Sequence, residues 1–95
     1  NTMSTITKKK TLKKVEEILN SPYILILEND DYNTFDWVIE CLMKICGHEL
    51  EQASQCAHLV HFTGRCDVKR GDHEVITKLY NKLKSAGLSV TMELS

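Results

Sequence analysis

YILILENDDYNTFDWV, residues 23–38, is the stretch from which the fold can be read. Tyr23 to Leu27 is short, rich in Ile and Leu, and bounded by turn-forming residues, which predicts a strand buried on at least one face. Asn29 to Asn33 are turn formers. Phe35, Val38, Ile39, Leu42 and Ile45 then recur at the three-and-four spacing of an amphipathic helix. A first helix is expected from about Thr34 to Cys46, with Asn33 or Asp31 as its N-cap and Gly47 in the left-handed position that ends it. The polar cluster Asn29, Asp30 and Asp31 is thereby pinned at the mouth of the hydrophobic core.

On the N-terminal side, Asn20, Ser21 and Pro22 interrupt any helix and mark a boundary. Residues 1–20 carry five Lys against two Glu, while residues 21–95 carry seven basic against eleven acidic groups. Residues 1–21 are therefore read as a flexible basic arm, whose Leu12, Val15, Glu16 and Ile18 could form a helix on a partner. On the C-terminal side, a second helix begins near Glu49, with Leu50, Ala53, Cys56, Ala57 and Val60 on its apolar face. The same spacing puts His61 on the inward side and points His58 elsewhere. Gly64 ends that helix, Cys66 and Val68 alternate as a half-exposed strand, and Gly71-Asp72 form a turn and cap. Val75, Ile76, Leu79, Tyr80 and Leu83 make a third helical face closed by Gly87. Leu88, Val90, Met92 and Leu94 make a period-two strand. The expected fold is α/β of the α+β type, a small antiparallel three-stranded sheet packed against three helices in the order β-α-α-β-α-β, as one core domain over residues 22–95.

At 95 residues the chain has room for one core. No apolar run approaches the roughly 20 residues of a membrane span, and no signal-like segment is visible, so a cytoplasmic protein without membrane association is expected. Cys41, Cys46, Cys56 and Cys66 fall largely on apolar positions and read as reduced thiols. Zinc is the alternative, with His48 and His58 nearby, but paired Cys-x-x-Cys spacings are absent. The body has no basic stripe interleaved with aromatics, which argues against nucleic acid. There is no phosphate loop, nucleophile elbow or dinucleotide fingerprint, and no cofactor or metal is expected.

Asn29, Asp30, Asp31 and His61 admit three readings: an acid-base pair, a divalent-cation site, or a receptor for an ammonium group. Catalysis would also need a nucleophile or oxyanion donors, which the chain does not supply. Adjacent Asp residues rarely hold one ion without further oxygen ligands at set spacing. Turn formation and helix capping alone is the plain alternative.

These residues resemble the ClpS adaptors of bacterial AAA+ proteases, which recognise N-degrons. The resemblance rests on Asn29-Asp30-Asp31-Tyr32 after a hydrophobic strand, on Val60-His61-Phe62-x-Gly64 after the second helix, and on Leu88 and Met92-Glu93. It runs without gaps over essentially Pro22 to Glu93. It implies a non-catalytic, monomeric adaptor that binds the free N-terminus of a protein substrate and hands it to a ClpA- or ClpC-type unfoldase. Carried over by position, the site for the peptide N-terminus is Asn29, Asp30, Asp31 and His61: Asn29, Asp31 and His61 would meet the α-ammonium, with Asp30 supporting them. Leu27, Asn33, Phe35, Val38, Ala57, Val60 and Leu88 would line the pocket for the first side chain. Glu74 and Lys78 would lie on the unfoldase-docking face, and residues 1–21 would help delivery. A histidine that accepts from an ammonium has to be neutral at that nitrogen, so binding is expected to weaken in acid. Phe35, Ala57, Asn33-Thr34 and Leu79 depart from the family's usual Met, Met, Thr-Pro and Lys.

Overall fold

The structure is a computed structural model that describes residues 12–18 and 20–95. The lysines at positions 8–10, and with them part of the basic arm, lie outside the described residues. A helix α1 covers residues 12–18. The body follows as β1 (Tyr23–Glu28), α2 (Phe35–Cys46), α3 (Leu50–Thr63), β2 (Arg65–Gly71), α4 (His73–Ser85) and β3 (Val90–Leu94). β1 is the centre strand, with both later strands pairing to it antiparallel in the order β2-β1-β3. The α+β order expected from the sequence is therefore observed, with α1 added in front of it.

Each helix begins where a side chain can take up free backbone N–H groups. Thr34 caps α2, its hydroxyl accepting the Trp37 amide at 3.1 Å. This corrects the expectation of Asn33 or Asp31: Asn33 is drawn into other hydrogen bonds, and a threonine one residue later meets the same need. Glu49 and Gln52 form a capping box ahead of α3, and the Asp72 carboxylate accepts the Val75 amide at 2.9 Å ahead of α4. Gly47, at φ 71°, and Gly64, at φ 93°, turn the chain sharply after α2 and α3 in a region that side chains with a Cβ rarely enter.

Leu25 and Leu27 of β1 point into one core with Leu42, Cys46, Ala53, Cys56, Val60, Ile76, Leu83 and Val90. Leu50 and Val75, placed on apolar faces by their spacing, are instead exposed, each in the first turn of its helix. The β1–β2 ladder slips between Leu25 and Ile26, leaving Val68 as the extra residue of a bulge. Its carbonyl accepts a bond of 2.9 Å from His48 Nε2, and the neighbouring Lys69 ammonium reaches the Cys46 carbonyl at 3.4 Å. The bulge thus fastens the α2–α3 turn to the sheet. Burial pushes the Cys46 thiol up to about 11 and raises Cys41 and Cys56 in the same direction. Thiols held protonated in this way are poor nucleophiles and poor metal ligands.

A cavity between the ends of β1 and α3

The ends of β1 and α3 meet through the backbone: the Asn29 amide donates to the Gly64 carbonyl at 3.0 Å. Gly64 can present that carbonyl because its positive φ folds the chain back from α3 into β2. On the other side, the Glu28 amide donates to Ser89 O at 2.8 Å, so the α4–β3 connection closes against the same strand end. The loop after β1 is held between two remote pieces of chain.

Asp30 organises that loop. Its Oδ1 accepts the amides of Tyr32 (2.9 Å) and Asn33 (2.8 Å), and its Oδ2 accepts the Asn33 side-chain amide (2.8 Å) and the Ser89 hydroxyl (2.9 Å). Asn33 Nδ2 also donates to Gly87 O at 2.9 Å, and Trp37 Nε1 to Ala86 O at 3.0 Å. With both oxygens committed, Asp30 acts as the clamp of the loop rather than as an open acceptor. Partial burial pushes its carboxyl up, but the bonds from Asn33, Tyr32 and Ser89 outweigh burial and hold it below its ordinary 3.8.

A folded-state value below the unfolded one means that the bonds stabilise fully above the unfolded pKa. Their contribution is lost as pH falls through the lower folded value. Hydrogen-exchange protection at the Tyr32 and Asn33 amides should therefore persist through the ordinary carboxylate range and be lost only as pH falls through the lowered value of Asp30. In Asp30→Asn the protection should be weak at every pH. Protection in that variant equal to wild type would show that the carboxylate does not hold the loop.

Behind this loop opens a cavity of about 260 Å3, lined by Asn29, Asp30, Asp31, Asn33, Thr34, Phe35, Val38, Ala57, Val60 and His61. Beneath it a void of about 30 Å3 touches Leu27, Val38, Val60 and Leu88. The structure thus brings together all four of the residues expected at the polar lip and most of those expected on the apolar wall. Leu27 and Leu88 lie one layer deeper than expected. Both are buried, and they form the base under Val38 and Val60. Thr34 lines the cavity although the sequence reading had not placed it there; its position next to the loop was the available signal. His61 is exposed at the rim rather than inward, and His58 does not point elsewhere. Phe35 lies between the two imidazoles, with centroids 5.2 Å from His58 and 5.3 Å from His61. His61 borders the buried stripe of Ala53, Cys56, Ala57 and Val60, and His58 lies three residues back on the same flank of α3, so both imidazoles reach Phe35 at the rim.

Among the described residues, the side chains of Asn29, Asp31 and His61 have no hydrogen-bond or ion-pair partner. The three ion pairs there, Glu40 with Lys44, Arg65 with Glu93 and Glu74 with Lys78, lie away from the cavity. The lip therefore offers a carboxylate without a counter-ion, an amide and an imidazole, above a floor of Val38, Ala57 and Val60. No group of three His, Cys, Asp or Glu side chains among the described residues converges as a metal site would require. No helix among them is long and apolar enough to cross a membrane.

A small α+β domain with a solvent-open cavity, acidic at its lip and apolar at its floor, has the form of a ligand-binding domain. Comparison with known proteins agrees. The sequence model described as "ATP-dependent Clp protease adaptor protein ClpS" matches residues 19–91. The chain is 32% identical over 91 residues to the ATP-dependent Clp protease adapter protein ClpS of Nostoc sp., covering 95% of this chain and 93% of that one. It is 38% identical over 55 residues to the Escherichia coli O1:K1 protein of the same description, covering 56% of this chain and 52% of that one. The structure of Agrobacterium tumefaciens ClpS2 bound to L-phenylalaninamide superposes with a TM-score of 0.70 at 21% identity, covering 80% of this chain and 99% of that one. The chain belongs to the ClpS family of Clp protease adaptors.

Proposed function

We propose that the cavity receives the free N-terminus of a protein substrate together with its bulky apolar first side chain, and that the protein delivers this substrate without chemistry to a ClpA- or ClpC-type unfoldase. The observation that carries the reading is the trio of unpartnered polar groups, Asn29, Asp31 and His61, placed around one cavity with an apolar floor. A protonated α-amine matches the trio, since it has three donors and one charge for a carboxylate, an amide oxygen and a neutral imidazole nitrogen. Asp30 contributes by holding the loop. An engineered apolar cavity of about 150 Å3 admits a benzene ring, so the 260 Å3 here accommodates an aromatic or leucine side chain with the amine above it. The ligand of the Agrobacterium structure, L-phenylalaninamide, carries the same pairing of amine and ring.

Burying one Leu or Phe side chain stabilises by about 1.5–3 kcal/mol, and each charged hydrogen bond by about the same. Micromolar binding, about 8 kcal/mol, then requires both parts at once, because association itself costs several kcal/mol. Phe35 narrows the cavity on one side and Ala57 widens it on the other. The prediction is a preference for Phe, Tyr, Trp and Leu over β-branched first residues. A calorimetric competition series in which peptides differ only at residue one tests this, and an Ile-first peptide binding as tightly as a Leu-first one would contradict it.

Delivery is assigned to other surfaces. Glu74 and Lys78 are exposed one turn apart on α4, 3.4 Å from each other, and mark the face proposed to dock on the unfoldase. Exposed charges of this kind are available to a partner because their own pair contributes little to stability. The basic arm, residues 1–21, is proposed to assist transfer. Its deletion should leave peptide affinity within about twofold while slowing degradation of a delivered substrate; lost peptide affinity would refute this division of labour.

A further inference from the structure

We propose that a second subsite lies on the outer side of the cavity rim and takes the side chain of the substrate's second residue, with a preference for an aromatic ring. The inference rests on the amine-and-side-chain reading above and extends it by one residue.

Four rings form a closed circuit at this rim. Phe35 lies 5.2 Å from His58 and 5.3 Å from His61, and Phe62 lies 6.4 Å from His58 and 5.1 Å from His61, centroid to centroid. Phe35 and His61 also line the cavity, so cavity and circuit share a wall. Phe62 is 77% exposed, and Leu59, one turn back on α3, is half exposed. A contiguous set of large apolar groups left in water at the edge of a binding cavity marks an extension of that site. The circuit is also held in place: the His58 ring bonds the Ser54 carbonyl at 2.8 Å. A carbonyl only accepts, so His58 Nδ1 carries the proton of that bond, and in the neutral ring Nε2 remains an acceptor.

Geometry decides the occupant. The α-carbon of the first residue is tetrahedral, with its amine at Asn29, Asp31 and His61 and its side chain on the cavity floor. Thr34 and Phe35 also line the cavity, and the proposal takes the carbonyl of the first residue out on their side. The next side chain then emerges over the Phe35–His58–Phe62 rings. A ring there gains offset or edge contacts with two or three others, whereas alanine gains none.

Two otherwise identical peptides, one beginning Leu-Ala and the other Leu-Phe, are titrated against wild type, Phe62→Ala and His58→Ala. The expected result is that Leu-Phe binds about 3- to 10-fold tighter than Leu-Ala to wild type, with the ratio falling toward one in Phe62→Ala and partly in His58→Ala. The preference of each variant for Leu over Ser at the first position reports that its cavity is intact. Equal affinities in wild type, or a ratio that survives both substitutions, would overturn the subsite while leaving the first-residue reading standing. Failure of both Leu-first peptides to bind wild type would overturn the two together.

Discussion

Acetylating the N-terminus of a Leu-first peptide is expected to lower its affinity for this protein by about 100-fold or more. Acetylation removes the charge and two of the three donors proposed to face the carboxylate, amide and imidazole of Asp31, Asn29 and His61. Two charged hydrogen bonds at about 1.5–3 kcal/mol each give roughly 3–6 kcal/mol, and each 1.4 kcal/mol is tenfold in affinity. The loss is compounded because a bound acetylated peptide would cover the Asp31 carboxylate without giving it a partner. Asp31→Asn should reproduce part of the effect with the free peptide and should bind the acetylated peptide no worse than wild type does. Fluorescence anisotropy with a labelled Leu-first peptide, competed by its acetylated twin, measures the difference. A change smaller than about threefold would show that the amine is not what the lip recognises.

The second large effect is expected from Ala57→Phe. Ala57 is buried in α3, yet it lines a cavity open to solvent. A phenyl group added there grows into the cavity rather than into the packed core, so the usual overpacking cost of about 1–3 kcal/mol is largely avoided. It would occupy the volume proposed for the first side chain. Leu- and Phe-first peptides then lose their buried side chain, worth about 1.5–3 kcal/mol, and the amine is lifted from the lip as well. Affinity should fall by more than about 100-fold, since both halves of the site are lost together. A melting temperature close to wild type would certify the fold. Retained tight binding by a well-folded Ala57→Phe would place the first side chain outside this cavity.

Both effects depend on what the chain alone makes legible. An apolar run that stops at Glu28, a cluster of Asn and Asp, and helical spacing from Phe35 onward suffice for a strand, a loop and a helix in that order. Binary pattern encodes such elements locally. His61 was found by the same spacing, although its orientation was not. Helical periodicity locates the buried stripe of a helix, but it does not say how far the edge of that stripe, where His61 stands beside buried Val60, is covered by a neighbour. The same limitation applies to Leu50 and Val75, which sit in first turns.

The N-cap of α2 shows a different limit. Asp30, Asp31, Asn33 and Thr34 are all competent caps, and the choice among them depends on which are needed elsewhere. Asn33 is taken by Asp30 and by the Gly87 carbonyl, 54 residues away in sequence, so Thr34 caps the helix.

The sequence by itself determined the number, kind and order of the elements in residues 22–95 and which polar residues stand at the end of the first strand, because periodicity and turn chemistry act within a few residues. Only the tertiary structure decided that β1 takes the centre of the sheet, that Asp30 is clamped by Ser89 from across the fold, and that α3 brings His61 and Ala57 to the loop after β1. Those outcomes depend on which elements can share one buried face, and that selection is made between segments far apart in the chain.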